Sequence, residues 1–461
     1  MNIDAILSPP SEEIALPHNW KPRLYQRPAW DYMMKTPIRA RAVCMWHRRA
    51  GKDLMAVNVI SLKSQERVGT YWHLFPTYKQ GKNVAWIGST KDGRKFQDHF
   101  HPALIKSTNS TDLRIEFHNG SSYQVVGSDN IDSLVGTNPV GVILSEYSLH
   151  DPKAWDYLRP ILSENDGWAM FIYTARGRNH GYKLWNMAQK NPTWFCEKLC
   201  AGNEGTQRED GTPVISDEAI DEERKSGMSE EMIQQEYFNS FDAPMVGAFY
   251  SQQMDAAMKA GRITNVPHEP GLMVNTYWDL GVGDATAIWF TQRVGGEHRV
   301  IDYYEASGEG LPHYAKVLNG GYSKTEYMKD YTYSQHFAPH DIVQREFTSG
   351  RSRIETAKSM GIRFRVIGQH RVEDGIEAAR SIIPQCVFDE RKCERGLDGL
   401  RTYRKEFDSR LGCFRDTPVH DWASHPADAF RIFAMSEKRT SMMPSQKAMN
   451  ALDDHDYLRQ S

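Results

Sequence analysis

The run WHRRAGKD, Trp46 to Asp53, joins an apolar stretch to a segment with helical periodicity. A Gly-Lys pair in that setting can bind phosphate. Backbone N–H groups of a tight loop and the positive end of the next helix point at one spot, where an anion is stabilised. Gly51 would let the main chain approach closely, and Lys52 would reach the β- and γ-phosphates of a nucleotide. The run departs twice from the pattern G-x-x-x-x-G-K-[ST]. Trp46 stands where the first Gly belongs, and Asp53 replaces the hydroxyl residue that normally holds Mg2+. Taken alone, Arg48, Arg49, Ala50 and Gly51 also fit a basic surface turn.

Other segments bear on that choice. In VGVILSEY, Glu146 follows a continuous apolar run, and a carboxylate there can polarise a water for attack on a γ-phosphate. The Asp usual just before such a Glu is absent, and Ser145 occupies its place. The Mg2+ duties can therefore be exchanged, with Ser145 supplying the hydroxyl and Asp53 the carboxylate. Thr174 follows the apolar run Ala169 to Tyr173, where it could sense the γ-phosphate. Gln26, in PRLYQRPAWDYM, could hydrogen-bond the edge of an adenine. Each alone is weak, but together they form an ordered nucleotide site.

The second half carries a different chemistry. Asp279 ends an apolar run in TYWDLGVGDATAIWF, Asp341 ends another in HFAPHDI, and Asp428 lies in HDWASHPADAFRIF on an expected C-terminal helix. Three carboxylates brought together can hold two divalent ions about 4 Å apart, one activating water and one stabilising a leaving oxygen. An isolated Asp at the end of a strand is more often a turn former. His425, three residues before Asp428, would share its helix face. Asp284, Glu305, His420 and Asp421 are neighbours in sequence and secondary candidates.

These residues need strands and helices to present them. Ala40 to Trp46, Thr70 to Thr77, Val140 to Leu144 and Ala169 to Tyr173 read as strands, and Leu54 to Leu62 as a helix. Asn119-Gly120, between Arg114 to Phe117 and Ser122 to Val126, signals a hairpin. This order suggests an α/β domain with a largely parallel sheet. Asp217 to Glu223 and Glu230 to Phe238 are charged and helical. Val274 to Leu280, Ala285 to Gln292 and His298 to Glu305 read as three successive strands of a second α/β region. The expected divisions are 1–203, a helical linker over 204–265, 266–438, and a mobile tail over 439–461.

Composition excludes some alternatives. With 56 Lys+Arg against 59 Asp+Glu, the chain cannot coat nucleic acid through bulk charge, so DNA contacts would be local. The 6 cysteines form no CxxC pair, which argues for reduced thiols rather than zinc or disulfides. The N-terminus lacks the basic start and apolar core of a signal peptide, and no apolar run approaches the ~20 residues of a membrane span. A cytoplasmic protein is expected.

The segments LYQRPAW, HRRAGKD, FPTYKQGKNVAW, DSLVGTNPVGVILSEY and FIYTARG, with HDWASHPADAFR near the end, resemble the large subunits of tailed-phage terminases over roughly residues 20 to 435. That resemblance implies an N-terminal RecA-like P-loop ATPase, a helical bridge through QQEYFNSFDAPMVGAFY, and a C-terminal RNase H-like nuclease. It implies ATP with Mg2+ at the first site, and Mg2+ or Mn2+ on Asp279, Asp341 and Asp428. Arg48 or Arg49 would act as a finger on the phosphates, with Arg176 and Arg178 as competitors, and Thr174 would couple hydrolysis to movement. The implied partners are double-stranded DNA, a small terminase subunit and a portal protein. Subunits would form a ring on the portal in the host cytoplasm and could be monomeric in isolation. Two rival readings share these residues: a helicase- or defence-type ATPase-nuclease, and a non-enzymatic DNA- or capsid-binding protein with degenerate sites.

Overall fold

Strand β1, Arg41–Trp46, shows why the first half builds a sheet covered on both sides. All its residues are buried. Ala42, Cys44 and Trp46 join one hydrophobic core, Val43 and Met45 another. Successive side chains of a strand point to opposite faces, so an unbroken apolar run needs cover on both. Met55, Ala56, Val59 and Ile60 of the helix Lys52–Glu66 cover the first face, and Trp155, Leu158 and Leu162 of the helix Lys153–Glu164 the second.

The computed structural model describes residues 16–36, 38–90, 92–129, 136–243, 245–281, 285–319, 331–344, 351–408 and 413–442. The chain forms two compact units, Met1–Val246 and Gly247–Ser461. The boundary falls inside the segment expected as a separate linker. Helices Asp217–Lys225 and Glu230–Glu236 belong to the first unit, and Ser251–Lys259 to the second.

After β1, the first unit adds β2 (Thr70–Phe75), β3 (Ile105–Asn109), β4 (Arg114–Phe117), β5 (Ser122–Gly127), β6 (Pro139–Ser145), β7 (Trp168–Tyr173) and β8 (Phe195–Leu199). Their order in the 8-stranded sheet is β3-β4-β5-β2-β6-β7-β1-β8. The strands from β5 to β8 in that order pair in parallel, and β3, β4 and β5 pair antiparallel. The expected hairpin joins β4 to β5, with Gly120 at φ 91°. Because β1, β7 and β6 are parallel neighbours, the residues following them emerge at one edge of the sheet. Open α/β sheets bind ligands outside that edge.

The second unit contains β9 (Ile263–Thr264), β10 (Val274–Asp279), β11 (Ala285–Val294), β12 (Glu297–Ser307), β13 (Tyr333–Ala338), β14 (Phe364–Val366) and β15 (Cys386–Asp389), in sheet order β14-β13-β10-β11-β12-β15-β9. The three expected strands form an antiparallel meander, β10-β11-β12, and β13 runs parallel to β10. A separate hairpin pairs β16 (Lys405–Asp408) with β17 (Cys413–Pro418).

The expected C-terminal helix is Ser424–Met442. Phe430 packs edge-on to Trp289 at 5.5 Å between ring centroids, and Phe433 lies 4.8 Å from Tyr277. The Trp289 indole donates to the Pro426 carbonyl at 2.8 Å, fixing the start of the helix on the sheet. The helix runs past Arg439, so the first residues of the expected tail are helical; the rest of that tail lies outside the described residues. Among the described residues no helix is long and apolar enough to cross a membrane.

Candidate functional site

The loop between β1 and the helix Lys52–Glu66 turns through two left-handed residues, Arg49 at φ 72° and Gly51 at φ 76°. Gly51 takes that conformation freely, whereas Arg49 holds it at a cost of about 1 kcal/mol. Glu146, at φ 55°, is a third such residue, and backbone strain of this kind clusters at functional sites. Gln26 is buried beneath the loop. Its amide donates to the Ala50 carbonyl at 2.8 Å and the Gly51 carbonyl at 3.4 Å, and accepts from the Arg23 N–H at 3.1 Å. Gln26 thus braces the loop from beneath. Lys21 and Arg23, which the sequence did not single out, line the cleft instead.

Lys52, only 6% exposed, donates to the Trp46 carbonyl at 3.1 Å and the Thr174 hydroxyl at 3.2 Å, and lies 3.9 Å from a Glu146 carboxylate oxygen. The expected lysine, carboxylate and sensor threonine therefore meet at one sheet edge. The other Glu146 oxygen is buried without a hydrogen-bond partner. Burial raises its carboxyl above the ordinary range, against the pull of Lys52 and Arg176.

Asp53 and Ser145 also meet, the Ser145 hydroxyl donating to the Asp53 carboxylate. Behind them His73, missed in the sequence because it sits inside an apolar strand, places Nε2 3.6 Å from Asp53 and Nδ1 3.2 Å from the Tyr123 hydroxyl. Burial pushes the Asp53 carboxyl up, but His73, Ser145 and Lys52 together outweigh it and hold it below its ordinary value. His47, also missed, ties the loop to the segment after β8. Its Nδ1–H donates to the Arg48 carbonyl at 2.6 Å, and Nε2 accepts from the Thr206 hydroxyl at 2.6 Å.

Lys52, Asp53, Glu146 and Thr174 line a cleft of about 1450 Å³ within the first unit, along with Arg48, Arg49 and Arg176. Arg176 pairs with the buried Glu236, and Arg48 lies 3.9 Å from the same carboxylate. Arg178 pairs instead with Asp242 and does not line the cleft. The left-handed loop, the lysine at its end and the unpartnered Glu146 oxygen fit a nucleotide with Mg2+, and Asp53 and Ser145 offer oxygen donors for the ion.

In the second unit, Asp279 ends β10 and Asp341 lies in the turn His340–Val343, just past β13. Because Tyr277 pairs with Phe337 in parallel, both acids emerge at one sheet edge. His425 places Nδ1 3.4 Å from an Asp279 oxygen, and Arg431 donates to Asp428 at 2.6 Å. Burial lifts the Asp428 carboxyl to about 6, Arg431 opposing the shift and the nearby Asp279 charge adding to it. One Asp341 oxygen is buried without a partner.

Among the described residues, however, no group of three or more His, Cys, Asp or Glu side chains is gathered closely enough to hold a metal ion. Asp279 and Asp341 nonetheless share one sheet edge, and Asp279 is near enough to Asp428 to act on its carboxyl. Like charges repel as they approach; Arg431 offsets this at Asp428, and His425 acts on both Asp279 and Asp428. Arg431 was legible as the i+3 partner of Asp428 on a helix. Of the secondary candidates, Glu305 is bound by Arg395 at 3.0 Å and by the Tyr303 hydroxyl at 2.5 Å. Asp421 is bound by Arg404 at 2.8 Å and accepts the Ala423 N–H, and His420 meets the Ser424 hydroxyl at 3.2 Å. Asp284 lies outside the described residues.

No protein-family model matches the chain, and no curated protein matches it. Among solved structures, it is similar to the large terminase of a thermophilic bacteriophage in complex with ADP, at 14% identity and TM-score 0.39, over 90% of this chain and 98% of that one. It is similar to the large terminase ATPase domain of Thermus phage P74-26 at 19% identity and TM-score 0.36, over 48% of this chain and 99% of that one. A third is the P22 large terminase nuclease domain, at 15% identity and TM-score 0.29, over 39% of this chain and 89% of that one. All three are large terminases or domains of one. The two terminase domains are each matched by less than half of this chain, whereas the ADP-bound large terminase is matched over most of both chains.

Proposed function

We propose that this chain is a terminase large subunit, in which ATP hydrolysis by the first unit drives double-stranded DNA into a procapsid and the second unit cuts the DNA. The observation that carries the reading is the meeting of Lys52, Asp53, Glu146 and Thr174 around one cleft, with the Ser145 hydroxyl donating to Asp53. In the bound state Lys52 turns from the loop carbonyls to the phosphates. Glu146, whose partnerless oxygen is buried in a setting that makes it more basic, orients a water and takes its proton as the water attacks the γ-phosphorus and the bond from that phosphorus to the β–γ bridging oxygen breaks, releasing ADP and phosphate. Arg48, Arg49 or Arg176 stabilises the charge that develops on the phosphoryl oxygens. Mg2+ held by Asp53 and Ser145 would supply further charge neutralisation. Thr174, bonded to Lys52, reports the phosphate to β7.

For the second unit we propose a nuclease centred on Asp279 and Asp428, with His425 orienting Asp279 and Asp341 at the same edge. Double-stranded DNA, a small terminase subunit and a portal protein are the proposed partners, in the host cytoplasm. The test is ATP turnover with DNA by the wild type and Lys52→Ala, alongside plasmid cutting by Asp279→Asn supplied with Mg2+, Mn2+ or chelator. The reading requires loss of turnover in the first variant and loss of cutting, with ATP turnover kept, in the second. Strand separation in the absence of a portal would favour a helicase-type enzyme instead.

A further inference from the structure

Glu236 stands in the cleft where two arginines would otherwise face phosphate. Its side chain is 5% exposed. Arg176 donates to one carboxylate oxygen, and Arg48 lies 3.9 Å from the other. Gln235 donates to the first oxygen at 3.2 Å. The Glu236 carbonyl also accepts the Arg48 N–H at 2.8 Å, so the end of the helix Glu230–Glu236 is tied to the phosphate loop by main chain and side chain together.

A carboxylate held by guanidinium groups offers what a phosphate oxygen offers: negative charge and acceptors matching the fork of N–H donors. Arg176 also holds the Glu146 carboxyl down electrostatically, and Lys52 lies 3.9 Å from that same acid. Burial alone would push the Glu236 carboxyl up, but Arg176 and Arg48 outweigh it and keep the group ionised.

We infer that Glu236 occupies the place of a terminal phosphate and competes with the γ-phosphate of a bound nucleoside triphosphate for Arg176 and Arg48, which makes it the residue that discriminates triphosphate from diphosphate. The inference rests on the nucleotide reading of the Lys52 loop. A triphosphate must break the Arg176–Glu236 pair, and its apparent affinity falls by the fraction of molecules in which the pair is closed. A diphosphate leaves the pair intact. Once displaced, Glu236 would be a buried charge without a partner, which is strongly unfavourable. The helix Glu230–Glu236 must then shift, and phosphate occupancy is passed to that helix. Glu236 is a positioning residue in this scheme, acting through the arginines.

The experiment is equilibrium binding of ATPγS and of ADP to the full chain, for wild type, Glu236→Gln, Glu236→Asp and Lys52→Ala, with steady-state ATP turnover alongside. Glu236→Gln should tighten ATPγS by at least about fivefold and ADP by less than about twofold, lowering KM for ATP more than it changes kcat. Glu236→Asp keeps the charge and should stay near the wild-type ratio of affinities. An unchanged or lowered preference for ATPγS in Glu236→Gln overturns the inference. If Glu236→Gln fails to fold, Arg176→Ala carries the test: it should erase most of the preference for ATPγS, and a preference left intact overturns the inference equally. Wild type that binds neither nucleotide, or Lys52→Ala that binds like wild type, defeats the nucleotide reading itself and the inference with it.

Discussion

The hydroxyl of Ser145 donates a hydrogen bond to the carboxylate of Asp53, 92 positions earlier in the chain. The usual phosphate loop has its hydroxyl after the lysine and its acid at the end of the neighbouring strand. Here the two residue types have exchanged places and still meet. Asp53→Ala and Ser145→Ala should each raise the Mg2+ concentration needed for half-maximal ATP turnover. Because the residues touch, the double variant should show a coupling energy of about 0.5–3 kcal/mol. A Mg2+ titration unchanged in both single variants contradicts this exchange of duties.

Gly51 should tolerate no side chain. Its φ is 76°, and a Cβ there would come within 3.0 Å of the Gln26 amide nitrogen. Gly51→Ala should weaken nucleotide binding through the distorted loop, with a stability loss of about 1–2 kcal/mol, measured by denaturant unfolding. Nucleotide affinity equal to wild type would show that the loop conformation is not what binds phosphate.

Stability should fall as the pH drops below about 6.5. His47 and His99 are held near about 4 and His150 near about 3, each mainly by burial. The unfolded chain binds protons at these histidines between pH 6.5 and 4, and the folded chain does not. Stability therefore decreases with falling pH in that window, by about 1.4 kcal/mol per pH unit for each fully titrating residue. His150→Gln removes one titration, so its unfolding free energy should change less between pH 6.5 and 5 than that of the wild type. Equal slopes would contradict the burial of His150 as a neutral ring.

Much of this was legible beforehand, and the exceptions have physical causes. The strands around Lys52, Glu146 and Thr174 announced themselves because runs buried on both faces contain almost nothing polar. Convergence of those side chains followed from the parallel order of β1, β7 and β6. Glu236 could not be read in the same way, since a glutamate in a charged helix looks solvated until the helix is packed. Gln26 carried an adenine expectation, but its depth beneath Ala50 and Gly51 is a tertiary fact. Asp279 and Asp341 were legible as residues at strand ends, and Asp428 as a residue of the C-terminal helix. The contact of His425 with Asp279 could not be read, because it joins residues 146 positions apart.

Asp428 should set the acid limit of DNA cutting. Its carboxyl stands near about 6 because it is buried and lies beside Asp279, while Arg431 pulls the other way. A carboxylate that must be ionised supports cutting above its pKa and loses it as the pH falls through that value. Arg431→Met removes the lowering partner and should move the acid limb of the pH profile to higher pH, and Asp428→Asn should lose cutting at every pH. An acid limb that stays in place in Arg431→Met would separate Asp428 from the reaction.

The most direct test of the nucleotide site is a side-by-side assay of ATP binding and ATP turnover for wild type, Lys52→Ala and Glu146→Gln. Wild type should bind and hydrolyse. Glu146→Gln should bind but turn over about 10²–10⁴ times more slowly, as expected when a positioned base is lost. Lys52→Ala should do neither. Turnover by Lys52→Ala or by Glu146→Gln at the wild-type rate would contradict the account.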